Sequence, residues 1–84
     1  MPTIKTAAAL KHLIQLRLDA LDEVRDDEEQ IYAREVEWHA PDASGCNWDM
    51  TGYRGPVGYG LEVRVLVNSL RREYRLAEDS TLFR

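Results

Sequence analysis

Cysteine is nearly absent from this chain: its 84 residues contain one, Cys46. A lone thiol excludes an internal disulfide framework and fits a reducing compartment, so a cytoplasmic protein is expected. Long hydrophobic runs are missing too. No stretch approaches the ~20 apolar residues that span a bilayer. The alanines near the start are interrupted by Lys11, His12 and Arg17 before they resemble a secretory leader. Metal-ligand pairs spaced C-x-x-C or H-x-x-x-H do not occur, nor do the phosphate-binding patterns G-x-x-x-x-G-K-[ST] and G-x-G-x-x-G. On these grounds no metal, cofactor or membrane partner is expected. An excess of positive charge is also lacking. The formal net charge of −4 argues against general affinity for nucleic acid.

What is present is a globular composition, 44% hydrophobic and 31% charged, which a disordered tail would not have. The length predicts one small domain over residues 1–84. Such a chain buries only roughly 60% of its unfolded surface, so dimerisation is an expected source of extra stability. The charge is unevenly distributed. Asp19, Asp22, Glu23, Asp26, Asp27, Glu28 and Glu29 crowd one segment against Arg25, while Arg64, Arg71, Arg72 and Arg75 crowd another against Glu73.

Hydrophobic spacing predicts a first helix from about Thr6 to about Glu28, capped by Thr3 or Thr6. Leu10, Leu13, Ile14, Leu18, Leu21 and Val24 fall on one stripe, with Arg17 projecting into its middle and the acids facing away. Ile31 to His39 alternates as a strand, with Val36 and Trp38 expected inside and Glu35 and Glu37 outside. A turn at Pro41-Asp42-Ala43-Ser44-Gly45 leads to a second strand, Cys46 to Thr51, with Cys46, Trp48 and Met50 on one side. Both tryptophans are therefore expected on neighbouring strands and largely buried. After a glycine-rich connection, Leu61 to Val65 alternates like a strand. The longer stripe Tyr59, Val63, Leu66, Val67, Leu70, Tyr74 and Ala77 favours a last helix over about 59–77. Leu82 and Phe83 are candidates to dock or fray. The order helix–strand–strand–helix predicts an α+β domain, an antiparallel hairpin packed against two amphipathic helices. The hairpin edges invite pairing with a second copy.

Side chains able to do chemistry gather around the turn. His39, Asp42, Cys46 and Asp49 are candidates to meet at the hairpin mouth, but zinc needs three or four ligands in tetrahedral array, and one Cys with one His is a poor set. A Cys46 nucleophile activated by His39 would need an oxyanion-stabilising group that the sequence does not display. The tryptophans suit base stacking, but beside Val36 and Met50 they read first as core.

The arginine sector is the candidate interaction surface: Arg64, Arg71, Arg72 and Arg75, flanked by Leu61, Val65 and Leu76. It is either a solvated face balanced by the acidic helix, in the same molecule or across a dimer, or a docking face. The apolar fringe favours a protein contact over a phosphate contact. The expected function is a non-enzymatic protein-binding or regulatory domain that docks on a partner protein or associates with itself as a homodimer. Association with nucleic acid through the arginines is the alternative, and a small thiol enzyme around His39 and Cys46 comes third.

Overall fold

The structure, a computed structural model, describes residues 3–77. In chain order its elements are β1 (Thr3–Lys5), α1 (Ala7–Asp19), α2 (Asp22–Asp26), β2 (Tyr32–Ala33), β3 (Glu37–Trp38), β4 (Trp48–Asp49), β5 (Tyr53–Arg54), α3 (Gly60–Glu73) and β6 (Tyr74–Leu76). The fold class is α+β, with an antiparallel hairpin packed against amphipathic helices as the sequence predicts. Among the described residues no helix is long and apolar enough to cross a membrane. Leu82 and Phe83 lie outside the described residues.

Helix α1 starts where the Thr6 hydroxyl accepts the Ala9 N–H at 3.1 Å, so Thr6 rather than Thr3 is the cap. Its buried face is Leu10, Ile14 and Leu18, with Leu13 packed alongside. Arg17 is exposed rather than set in that stripe. The single helix expected to Glu28 is instead two, parted at Ala20 and Leu21. Charge explains the break. One continuous helix would carry the acidic run at its C-terminal end, against the negative pole of its dipole. Restarting at Asp22 places Asp22 and Glu23 in a first turn, where negative charge is favoured.

The hairpin comprises two short ladders in one register. Tyr32 pairs with Arg54, Ala33 with Tyr53, Glu37 with Asp49 and Trp38 with Trp48, each step along one strand matched by one step back along the other. Between the ladders, Arg34 N–H donates to the Met50 sulfur at 3.3 Å. The interruption lets the first strand change phase. Ile31 and Ala33 face inward, contrary to expectation, because the Gln15 carboxamide grips that segment: its Nε2 donates to the Ile31 carbonyl at 2.9 Å and its Oε1 accepts the Ala33 N–H at 2.7 Å. Beyond the break Val36 packs against the core, but Trp38, expected inside, is 48% exposed. The second strand follows expectation, with Cys46, Trp48 and Met50 buried.

Two terminal strands have no counterpart in the hydrophobic pattern. The last helix stops at Glu73 instead of running to about Ala77, and Tyr74–Leu76 pairs in parallel with Thr3–Lys5. Hairpin side chains capture the segment. Buried Asn47 donates through Nδ2 to the Leu76 carbonyl at 2.9 Å and accepts the Leu76 N–H at 2.8 Å. The Trp48 indole donates to the Tyr74 carbonyl at 3.0 Å. These contacts satisfy the backbone of a segment whose side chains would tolerate helix, so tertiary structure overrides local propensity. At the other end of α3, the Tyr59 hydroxyl donates to Asp27 at 2.7 Å. That tie places the acidic segment by the N-terminus of α3, while Arg71, Arg72 and Arg75 gather at its C-terminus.

Replacing Asn47 by Ala should leave two buried backbone groups of Leu76 unsatisfied and cost about 2–4 kcal/mol. Urea unfolding measures the loss, and hydrogen exchange should show the Leu76 amide deprotected. The tryptophans should separate as cleanly. Trp38→Phe should retain blue-shifted native fluorescence from Trp48. Trp48→Phe should leave emission close to that of the unfolded chain, and Trp48→Ala should cost about 3–5 kcal/mol.

Candidate interaction surface

Helix α3 turns Val63, Val67 and Leu70 into the core. At 100° per residue the opposite line carries Leu61, Val65, Asn68 and Arg72. Leu61 is 74% exposed and Val65 60%. These apolar residues lie on the surface, as expected for a fringe. Leu76 does not. It is 3% exposed, a core residue of β6, because the segment that holds it is a strand and not a further helical turn.

The four arginines do not form one free face. Arg64 Nη2 meets Asp49 Oδ1 at 2.7 Å, and its Nε donates to Asn68 Oδ1 at 3.2 Å. Arg71 is 19% exposed at its side chain; Nη2 pairs with Asp42 Oδ2, and Nε donates to the Trp48 carbonyl at 2.8 Å. Arg75 Nη1 donates to the carbonyls of Arg71 at 2.6 Å and Tyr74 at 2.9 Å, closing the end of α3 from beyond it. Arg72 is exposed. The expected balance of charge is present, but the balancing acids are Asp42 and Asp49 of the hairpin, not the acidic helix.

Both aspartates lie in the segment from the turn to β4 and both arginines on α3, and the two pairs run in opposite order along the chain. The turn is built around the same carboxylate. Asp42 Oδ1 accepts the Ser44 N–H at 2.9 Å, the Ser44 hydroxyl at 2.6 Å and the Cys46 N–H at 3.3 Å. Gly45, at φ +85°, supplies the left-handed residue that closes the loop. The Ser44 hydroxyl first, then Arg71 and the two N–H groups, outweigh burial and hold Asp42 well below the usual carboxylate range. Burial would raise Asp49, but Arg64 and the Met50 N–H prevail and lower it. At the far end of α3 the hydrogen bond to Asp27, with burial adding to it, pushes the Tyr59 phenol up to about 12.

The residues considered for chemistry are engaged structurally. Cys46 is fully buried, and its Sγ–H points to the Trp48 carbonyl at 3.4 Å. His39 Nδ1 lies 2.7 Å from the Ala40 carbonyl, an acceptor that fixes the proton on that nitrogen. Among the described residues no group of three or more His, Cys, Asp and Glu side chains is placed to hold a metal ion. A depression of about 720 Å³ beside the start of α1 is crossed by the Lys11–Glu35 ion pair at 2.6 Å. A second, of about 420 Å³, lies between the turn and the end of α3, lined by Ser44, Asn68, Arg71, Arg72 and Arg75. The sequence spacing brings out the arginines there but not Ser44 or Asn68, which reach the site through the turn and through helical position. No family model, curated protein or solved structure matches the chain.

Because the ionised form of Asp42 is favoured by folding, its contribution is complete above the ordinary value of 3.8 and is lost as pH falls below it toward the lower folded value. Urea midpoints should therefore decline from about pH 4 downward. Asp42→Asn should lower the neutral midpoint and flatten that decline, and an equally steep acid limb in the variant would refute the role given to this carboxylate.

Proposed function

We propose that this chain is a non-enzymatic, cytoplasmic protein-binding domain whose docking surface is the outer face of α3, and that its occupant is a second copy of the chain. The carrying observation is the exposure of Leu61 and Val65 on the line opposite the core. Charge argues for the occupant. Acidic residues lie by the N-terminus of α3 and the charges of Arg72 and Arg75, unmatched among the described residues, at its C-terminus, so an antiparallel pairing about a two-fold axis sets the acidic end of each copy against the basic end of the other. One helix face offers less than the ~800 Å² per partner of a standard interface, so the association should be weak and reversible. The single thiol, buried in the core, accords with the compartment.

Nucleic-acid association is the weaker alternative, since Arg64 and Arg71 are neutralised by aspartates and, of the four arginines, only Arg72 and Arg75 keep an unmatched charge. The thiol-enzyme idea loses ground to the burial of Cys46.

Sedimentation over a range of concentrations should show a monomer–dimer equilibrium. Leu61→Ser should weaken it roughly ten- to a hundredfold, the cost of no longer burying that side chain. The loss should persist at high salt, where surface charges are screened. A strict monomer at all concentrations would sink the self-association reading. Salt-sensitive binding to DNA or RNA, untouched by Leu61→Ser, would shift the function to nucleic acid.

A further inference from the structure

The 420 Å³ depression between the turn and the end of α3 is a place where positive charge has been fixed without being neutralised. Of the three arginines lining it, Arg71 is matched by Asp42. Arg72 and Arg75 have no carboxylate partner among the described residues. The lining contains no acidic side chain. Two unmatched guanidinium charges therefore border one hollow on a chain whose net charge is −4.

Two of the donors, Arg75 and Asn68, are also held in place, while Arg72 is exposed. Two carbonyls grip Arg75 through Nη1, while Nη2 makes only a long 3.4 Å contact to the Ser44 carbonyl, leaving donor capacity for another acceptor. Asn68 turns its oxygen to Arg64, which leaves its amide N–H₂ as donor. The Ser44 hydroxyl spends its proton on Asp42, so the turn is fixed rather than adaptable. Donors whose geometry is set by other bonds, as at Arg75 and Asn68, give up little side-chain freedom when an anion enters. Arginine forks pair in a planar, two-pronged way with oxyanions. Two unmatched charges suit a dianion better than a monoanion.

We propose that this depression binds a phosphate dianion, either free or borne by a phosphomonoester, with Arg72, Arg75 and the Asn68 amide as its donors. The proposal needs no second copy of the chain, although Asn68 and Arg72 also lie on the line of the docking face.

The test is an NMR titration of the full chain at neutral pH and constant ionic strength, following the arginine Nε–H signals and the Asn68 amide. Inorganic phosphate should give saturable shifts confined to this depression. Arg72→Gln, which removes an exposed side chain and so spares the fold, should weaken binding at least about tenfold. Asn68→Asp, which fills the hollow with a carboxylate, should abolish it. Phenyl phosphate binding more tightly than inorganic phosphate would point to a phosphomonoester source, and the reverse to the free ion. Non-saturating shifts, unchanged affinity in Arg72→Gln, or acetate binding as tightly as phosphate would overturn the proposal. Leu61→Ser should bind phosphate as the parent chain does, so failure here and failure of self-association are read separately. Loss of phosphate binding in that variant would overturn a site contained within one copy.

Discussion

One buried carboxamide determines how the two halves of this molecule meet. Asn47 presents an N–H and a carbonyl to the N–H and carbonyl of Leu76, taking the place of the peptide group a neighbouring strand would supply. Without it, a strand pair consisting only of β1 and β6 would lie beside a two-stranded hairpin with no polar connection at Leu76. Sheets this small are marginal alone. With it, Leu76 can be buried as a core residue at no cost in unpaired backbone. Gln15 performs the same substitution for Ile31 and Ala33, joining the hairpin to α1. The two amides solve one problem twice: strands too short to satisfy themselves borrow a peptide-like group from a side chain.

The arginines follow from that arrangement. Once Asn47 and Trp48 draw the chain out of helix at Tyr74, the end of α3 lies over the turn, and its last carbonyls need donors. Arg75 supplies them from one residue past the helix cap, and Arg71 reaches across to Asp42 and Trp48. A residue type that suggests an outward-facing binding patch is thus largely turned to the molecule's own backbone and acids. Arg72, on the line of Leu61 and Val65, is the one of the four that is fully outward, and Arg75 keeps one free edge toward the depression beside the turn.

The legible parts of this fold are those where side-chain pattern decides the outcome. The α1 stripe, the Cys46/Trp48/Met50 phase and the α3 core face can be read from spacing because apolar burial selects them. The misread parts are those where a polar contact across the chain decides. Nothing local tells Tyr74-Arg75-Leu76 to leave the helix; Asn47 does. Nothing local reverses the phase at Ile31 and Ala33; Gln15 does. Helical projection puts Leu76 on the surface fringe for the same reason, and that projection has no meaning where the helix has ended. The break at Ala20 was open to inference, because the acids that follow suit the start of a helix and not its end. Of the candidate surface, the exposure of Leu61 and Val65 follows from helical geometry, whereas the inward use of Arg64, Arg71 and Arg75 depends on where the hairpin lies.

The parallel pairing of β1 with β6 imposes an order on how this structure is assembled. It joins Thr3 to Tyr74, so nearly the whole described chain is the loop that the contact closes. Loop-closure entropy grows only as the logarithm of length, which makes the pairing affordable at equilibrium, but distant contacts are slow to find. The hairpin and α1 can form from near neighbours and bring Asn47 into position with no strand yet beside it. Closure then comes last, and local opening of the native state should begin where folding finished. The first event in such opening would release β1 and β6 together, leaving the hairpin and the two long helices as the more persistent unit.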